Sequence, residues 1–285
     1  MATPAGVLAR DGQKLRQALG LEQREARLEV RILLCHALGV ARAWLISHDR
    51  DVLAEPAAQT YSALLTRRLA GEPIAYIVGS REFFGLEFKT TPAVLIPRPE
   101  TELLVELALA RMPLNQPCKA LDLGTGSGAI ALSLARHRPR AAVTAVDQSR
   151  EALAVARENA ARLQMPGVRL LHSDWFSALD GEIFDLIVSN PPYVEAADPC
   201  LQSGDVRFEP LSALASGADG LDDMRRIAAA APQHLKPGGW LLFEHGYNQG
   251  EGCREILRRQ GFLAVETVRD LAGLERVSMG MKHPG

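Results

Sequence analysis

Leu121-Asp122-Leu123-Gly124-Thr125-Gly126-Ser127-Gly128-Ala129 reads as the end of a buried strand, a glycine-rich turn and the first residue of a helix. Glycines at that junction let the backbone turn tightly and approach a ligand closely. The same alternation continues to the end of the chain. Strand-like runs fall at 120–123, 143–147, 169–172, 185–189, 240–244, 263–268 and 276–281, with helical periodicity between most of them, as in 151–163 and 222–235. Strands alternating with helices build a mostly parallel sheet covered on both faces. The expected architecture is α/β, a Rossmann-like seven-stranded mostly parallel sheet with helices on both faces.

Upstream the texture differs. Residues 11–69 are helical in pattern. One amphipathic helix over 21–38 is closed by Gly39, and another carries Pro56 in its first turn and the stripe Tyr61, Leu64, Leu65, Leu69 before Gly71. Residues 74–97 hold three short β-rich pieces (Ile74-Ala-Tyr-Ile-Val, Phe83-Phe-Gly-Leu-Glu-Phe and Val94-Leu-Ile-Pro), which around Gly85 predict a hairpin linker. The expected domains are therefore a helical bundle over 1–73, a β-hairpin linker over 74–97 and an α/β domain over 98–285. The last opens with Arg98-Pro-Glu-Thr ahead of an apolar helix at 102–112.

Composition narrows the class. Hydrophobic residues at 47% and charged residues at 23% are those of a globular chain with a proper core. No apolar run is long enough to cross a membrane, and Arg10 and Asp11 interrupt the stretch where a signal peptide needs an apolar core. A cytoplasmic location without membrane attachment is expected. The four cysteines (Cys35, Cys118, Cys200, Cys253) form no Cys-x-x-Cys or Cys/His cluster, so no metal site is expected, only isolated buried or partly buried thiols. A net charge of −2 argues against a duplex-binding surface.

Two turns carry the chemistry. Asp147 ends the second strand, 21 residues after Gly126, where a carboxylate accepts hydrogen bonds from ribose hydroxyls. Gly124-x-Gly126-x-x-Ala129 with that acid also fits a dinucleotide fingerprint, making a nicotinamide-dependent dehydrogenase the competing reading. Against it stand the extra Gly128 and the acid Asp122, whose charge near the amino-acid end of a ligand suits a cationic methionine moiety better than a pyrophosphate. The fourth strand also delivers Phe184-Asp-Leu-Ile-Val-Ser-Asn-Pro-Pro-Tyr193, which hydride transfer does not need. Pro191 and Pro192 have no backbone N–H and a fixed φ, so this turn is stiff and rich in acceptors. The Asn190 side-chain oxygen and the Pro191 carbonyl can face one NH₂ group, with Tyr193 offering an aromatic face. A plain strand-ending turn is the structural alternative. His172-Ser-Asp-Trp175 ends the third strand, where Trp175 serves either as a core aromatic or as a surface for an adenine. These groups favour S-adenosyl-L-methionine as cofactor.

With those motifs in place, the chain resembles the bacterial release factor glutamine methyltransferases (the HemK/PrmC group), class I methyltransferases that use S-adenosyl-L-methionine. Gly71-Glu-Pro-Ile-Ala-Tyr-Ile, Glu82-Phe-Phe-Gly-Leu, Ile96-Pro-Arg-Pro-Glu-Thr, Ser173-Asp-Trp-Phe, Val188-Ser-Asn-Pro-Pro-Tyr, Asp205-Val-Arg-Phe-Glu-Pro and Phe243-Glu-His-Gly resemble that family's segments in order. The resemblance implies N5-methylation of the glutamine in the Gly-Gly-Gln loop of peptide-chain release factors. It implies cofactor positions at Gly124, Thr125, Gly126, Ser127, Gly128, Asp147, Trp175 and Asn190. Substrate positions fall at Asn190, Pro191, Pro192 and Tyr193, of which Asn190, Pro191 and Tyr193 carry the reaction. The helical bundle, rather than the α/β domain, is expected to read the body of the release factor. A sister group that methylates a ribosomal-protein glutamine shares Asn-Pro-Pro-Tyr but tends to carry Pro-Arg-Ser-Pro where this chain has Pro97-Arg-Pro-Glu-Thr101. An adenine-N6 DNA methyltransferase uses the same acceptor pair but needs a basic surface for the phosphate backbone. A non-enzymatic binding module leaves the two turns as coincidence.

Overall fold

The computed structural model describes residues 3–285, which divide into two compact units. One comprises residues up to Gly79 together with Gln202–Phe208, and the other comprises Ser80–Leu201 and Glu209–Gly285.

The first unit is helical: α1 (Pro4–Leu19), α2 (Gln23–Leu38), α3 (Arg42–Ser47), α4 (Glu55–Leu69) and α5 (Ile74–Val78). Helix α1 starts seven residues before the pattern predicts. Thr3 caps it by accepting the Gly6 N–H at 3.3 Å, and Pro4 occupies the first turn, where its missing N–H costs nothing. The β-rich piece at 74–78 is also corrected. Pro73 supplies a carbonyl to Tyr76 and Ile77, Gly79 closes the turn at φ +76°, and burial of Ala75, Tyr76 and Ile77 overrides their strand propensity. Val7, Leu15, Val30, Leu33, Leu34 and Leu65 are among the residues that fill this unit's core.

One ion pair lies inside that core. The Arg68 guanidinium binds the Glu29 carboxylate through two hydrogen bonds, of 2.7 and 3.1 Å, and both side chains are under a tenth exposed. Its remaining donors reach the Glu72 carbonyl and Asp205, each at 3.0 Å, so the Gln202–Phe208 segment is held from within this unit.

The second unit begins with the hairpin β1 (Ser80–Phe83) and β2 (Leu86–Lys89), followed by a loop rather than a strand at 94–97 and then by α6 (Glu102–Arg111). The buried Asn159 side chain ties the hairpin's end to the glycine turn, accepting from the Lys89 N–H and donating to the Lys89 and Ser127 carbonyls. The sheet follows: β3 (Cys118–Leu123), α7 (Ala129–His137), β4 (Ala141–Asp147), α8 (Arg150–Arg162), β5 (Arg169–His172), β6 (Phe184–Ser189), α9 (Asp222–His234), β7 (Leu235–Glu244), α10 (Gly250–Arg259), β8 (Leu263–Arg269) and β9 (Glu275–Met281). Its order is β5-β4-β3-β6-β7-β9-β8, parallel as far as β7 and antiparallel through β9 and β8. Strand β7 starts earlier than predicted. Leu235 pairs with Phe184 and Trp240 with Leu186, so Lys236-Pro-Gly-Gly239, which reads as a turn, is an irregularity within the strand.

Alternate residues of each strand serve opposite faces. Ala120, Val143, Ala145, Leu186 and Val188 pack with α6 and α7, while Leu121, Leu123, Val146 and Ile187 pack with α9 and α10. Cys118 and Cys253 are buried and Cys35 is half-buried, but Cys200 is exposed, against the expectation for that thiol. No helix among the described residues is long and apolar enough to cross a membrane.

Replacing Glu29 by alanine leaves the Arg68 charge buried without its carboxylate. The expected cost is about 3–5 kcal/mol of local stability, read as lost hydrogen-exchange protection in α2 and α4. Unchanged protection would contradict the account of this pair.

Candidate active site

Strands β3, β4 and β5 run outward to one side of the sheet, and β6 and β7 to the other, so the order reverses between β3 and β6. Neighbouring parallel strands at such a reversal splay their carboxyl-end connections apart and open a crevice. A cleft of about 950 Å³, open to solvent, lies here, lined by Gly124, Thr125, Gly126 and Ser127 after β3, Asp147 at the end of β4, and Asn190 after β6.

The glycine turn is braced from below. Asp122 is fully buried; its Oδ2 accepts from the Thr125 hydroxyl at 2.6 Å and the Ala131 N–H at 3.2 Å, and its Oδ1 has no partner. The expectation that Asp122 presents its charge to a ligand is thereby corrected: it is not among the cleft's lining residues and acts as a support for the turn. Gly126 sits at φ +55°, and a Cβ built on it meets no protein atom within 4 Å. At Gly128 (φ +85°) a Cβ would lie 3.1 Å from Leu132 and 3.4 Å from Ala156, so this glycine lets α7 and α8 approach each other. Gly128 stands behind the cleft rather than on it.

Asp147 is largely enclosed. Its Oδ2 accepts the Gly126 N–H and its Oδ1 the Ser149 N–H, both at 2.8 Å, leaving each oxygen a further lone pair. Burial pushes this carboxyl above its ordinary value, opposed by those two N–H groups. Trp175 adopts a left-handed φ of +48°, unusual for a bulky residue. Ser173 fixes that turn, donating to the Trp175 carbonyl at 2.8 Å and accepting from the Ala178 N–H at 3.0 Å. Held this way, the indole lines the cleft and also packs against the core shared with α9 and α10.

After β6, Ser189 is anchored to the Leu123 carbonyl at 2.8 Å, which fixes where Asn190 begins. The Asn190 Nδ2 donates to Thr101 Oγ1 at 3.2 Å, and its Oδ1 is buried without a partner. Pro192 lines the cleft beside it. Pro191 is buried, and Tyr193 is not on the lining: its ring packs against the core and its hydroxyl donates to Glu244 Oε1 at 3.4 Å. The structure thus brings Gly124, Thr125, Gly126, Ser127, Asp147, Trp175, Asn190 and Pro192 to one cleft, while Gly128, Pro191 and Tyr193 are not among its lining residues.

Sequence reading passed over part of the wall. Val94 and Leu95 line the cleft from the loop after the hairpin, and Ser212 and Ala213 from the loop before α9. An apolar run bounded by prolines, Val94-Leu-Ile-Pro, was the available signal, and it reads equally as strand. Arg98, at the head of the Arg98-Pro-Glu-Thr motif, also lines the cleft. Its partner is the buried Glu209, whose other oxygen accepts the Ile96 N–H at 3.2 Å.

A Rossmann-like sheet with a glycine turn after its first strand, an enclosed carboxylate after its second and an Asn-Pro-Pro-Tyr turn at its switch point is the arrangement of a class I methyltransferase dependent on S-adenosyl-L-methionine. Residues 13–79 match the family described as PrmC N-terminal domain, and residues 99–203 the methyltransferase small domain. The release factor glutamine methyltransferase of Salmonella typhimurium is 51% identical over 90% of this chain and 93% of its own length. That of Escherichia coli is 48% identical over 93% of this chain and 96% of its own. Among solved structures, a T. Thermophilus 16S rRNA N2 G1207 methyltransferase in complex with AdoMet and guanosine shares the fold. Its TM-score is 0.54 at 24% identity, covering 72% of this chain and 50% of that one. The chain belongs to the release factor glutamine methyltransferase family.

Burial pushes the Asp122 carboxyl from 3.8 up to about 7. An acid raised on folding binds its proton more tightly in the native state, so its contribution is most favourable below pH 4 and is lost as pH rises to about 7. At about 1.4 kcal/mol per pH unit the loss is at most roughly 4 kcal/mol. Asp122→Asn should flatten the pH dependence of urea stability between pH 4 and 7. A slope identical to that of the wild type would refute this assignment.

Proposed function

We propose that the protein transfers a methyl group from S-adenosyl-L-methionine to the side-chain amide nitrogen (N5) of the glutamine in the Gly-Gly-Gln loop of peptide-chain release factors. The product of the cofactor is S-adenosyl-L-homocysteine. The observation that carries this reading is the buried, unpartnered Asn190 Oδ1 at the carboxyl end of β6, in a chain whose relatives are named for glutamine methylation.

The cleft suits the cofactor by shape and by donor set. The open space over Gly126 admits a chain close to the backbone, the spare lone pairs of Asp147 suit ribose hydroxyls, and the Trp175 indole suits an adenine. Gly124, Thr125, Gly126, Ser127, Asp147, Trp175 and Asn190 would hold it, with Gly128 shaping the turn. When bound, it supplies an electrophilic methyl group on a sulfonium.

A glutamine amide nitrogen is a poor nucleophile because its lone pair is delocalised into the carbonyl. The protein's contribution is position. Asn190 Oδ1 and the Pro191 carbonyl accept the two amide hydrogens, fix the NH₂ plane and raise electron density on nitrogen. The same acceptors stabilise the cationic nitrogen that transfer creates until it loses a proton. Pro192 walls the site against water. Tyr193 supports the turn from behind, through its packing and its bond to Glu244.

The unit that contains α1–α5 is proposed to read the body of the release factor, a reading supported by the match of residues 13–79 to an N-terminal domain of this family. A release factor bound to the full-length protein should then slow hydrogen exchange in α1–α5. Protection confined to residues 80–201 would refute it.

The decisive assay is methyl transfer from labelled S-adenosyl-L-methionine to a purified release factor, beside a copy whose Gly-Gly-Gln glutamine is alanine. Label on the first alone is expected. Label on neither redirects the search to the ribosomal-protein glutamine and then to DNA adenine. Asn190→Ala should lower transition-state stabilisation by about 2–4 kcal/mol, read as kcat at cofactor concentrations that calorimetry shows to saturate the variant. Wild-type kcat in that variant would remove Asn190 from the reaction.

A further inference from the structure

The sulfur of S-adenosyl-L-methionine carries three arms: the methyl, the adenosine and an amino-acid chain that ends in an ammonium and a carboxylate. Asp147 and Trp175 suit the adenosine, and Asn190 marks the side toward which the methyl leaves. The carboxylate needs a separate holder, because the glycine turn spends its own donors within the protein. The N–H groups of Gly124 and Thr125 both donate to the Val146 carbonyl at 2.9 Å. That of Gly126 donates to Asp147 and that of Gly128 to the Thr125 carbonyl, each at 2.8 Å. A carboxylate drawn into the cleft without a cation or several donors forfeits its hydration for nothing.

We propose that Arg98 binds the carboxylate at the amino-acid end of the cofactor, with its guanidinium held in place by Glu209. This deepens the cofactor part of the proposed function and rests on it. Among the described residues that line the cleft, Arg98 is the only Lys or Arg, and the ionisable side chains that share the lining, Asp147 and Asp174, are acids. The backbone sets its place along the cleft. The Arg98 carbonyl accepts the Thr101 N–H at 3.1 Å, and the Thr101 hydroxyl accepts from Asn190 Nδ2 at 3.2 Å. Arg98 therefore starts one turn from the contact that fixes Asn190. The amino-acid arm starts from the same sulfur as the methyl that Asn190 marks.

The guanidinium is anchored on one nitrogen and available on the others. Its Nη2 donates to Glu209 Oε1, while the fork as a whole carries five N–H donors. The Arg98 side chain is 31% exposed, whereas that of Glu209 is fully enclosed and its second oxygen accepts the Ile96 N–H at 3.2 Å. Glu209 is thus fixed to the backbone behind the arginine, and the unused N–H groups are those a carboxylate in the cleft can take in parallel. The pairing also suits the charge of the ligand. S-adenosyl-L-methionine has a sulfonium and an ammonium against one carboxylate, so a bare arginine would repel it overall. Glu209 cancels that excess charge and leaves the directional donors.

The test is calorimetry with two ligands that differ by the carboxylate alone. Decarboxylated S-adenosyl-L-methionine keeps the adenosine, the sulfonium and the amine, and the wild-type protein should bind it more weakly than the complete cofactor. Arg98→Met keeps most of the stem and removes the guanidinium. Its affinity for S-adenosyl-L-methionine should fall roughly ten- to a hundredfold, the scale of a charge-assisted hydrogen-bonded pair. Its affinity for the decarboxylated form should hardly change. Arg98→Met alone leaves the enclosed Glu209 carboxylate without its cation, so the double variant with Glu209→Gln is measured beside it. The glutamine still accepts the Ile96 N–H, and urea midpoints check that each variant is folded. Equal losses for the two ligands would make Arg98 no more than part of the wall. Undiminished affinity for the complete cofactor would place its carboxylate on backbone N–H groups at the start of α7. Either result overturns the proposal and leaves the cofactor reading standing. A wild-type protein that binds neither ligand overturns the cofactor reading and the proposal with it.

Discussion

The parallel pairing of β3 with β4 on one side and β6 on the other is the constraint from which the site follows. Residues 118–123 of β3 meet residues 141–146 of β4, and residues 120–123 meet 186–189 of β6. Both registers finish level, so three carboxyl ends arrive together and deliver the glycine turn, Asp147 and Asn190 to one place. The chain leaves β3 toward the face covered by α7 and leaves β6 toward the loops that precede α9. No backbone fills the space between these exits, which is why a crevice exists there at all.

Around that crevice the protein has placed charged groups where burial is expensive. Asp122 and Glu244 are each almost wholly enclosed, and each keeps one oxygen without a partner. Natural cores rarely tolerate such atoms without a reason. In both cases the engaged oxygens hold something near the site: the turn after β3, and the Tyr193 hydroxyl that follows the Asn190 turn. Stability is given up locally for fixed geometry, a pattern expected of a site whose chemistry is mostly orientation.

Most of this architecture was legible in the sequence, for identifiable reasons. Buried parallel strands are short apolar runs, and glycine turns and Asn-Pro-Pro-Tyr announce where they end, so the seven strands and the site-bearing turns could be found by pattern alone. Misreadings arose where long-range packing overrode local preference. Residues 74–78 have β-branched character but are helical because Pro73 and Gly79 bound them and the core takes up Ala75, Tyr76 and Ile77. Leu235 joins β7 across a stretch that looks like a turn, because Phe184 is there to pair with it. Asp122 looked like a ligand group because the glycine turn follows it directly in sequence; only the fold shows that it faces Thr125 and Ala131. Partners such as Arg98 with Glu209, 111 residues apart, leave no local trace.

The segment Gln202–Phe208 belongs to the helical unit although it lies deep in the sequence of the α/β unit. Arg68 reaches Asp205 across 137 residues, and Arg207 donates to the Ala70 carbonyl. A helical unit built this way is not a detachable prefix. Any exchange of the N-terminal helices, by evolution or at the bench, must bring the matching seven residues along from between β6 and α9. The two sequence stretches are therefore expected to vary as one inheritance unit while the glycine turn and the Asn190 turn between them stay fixed.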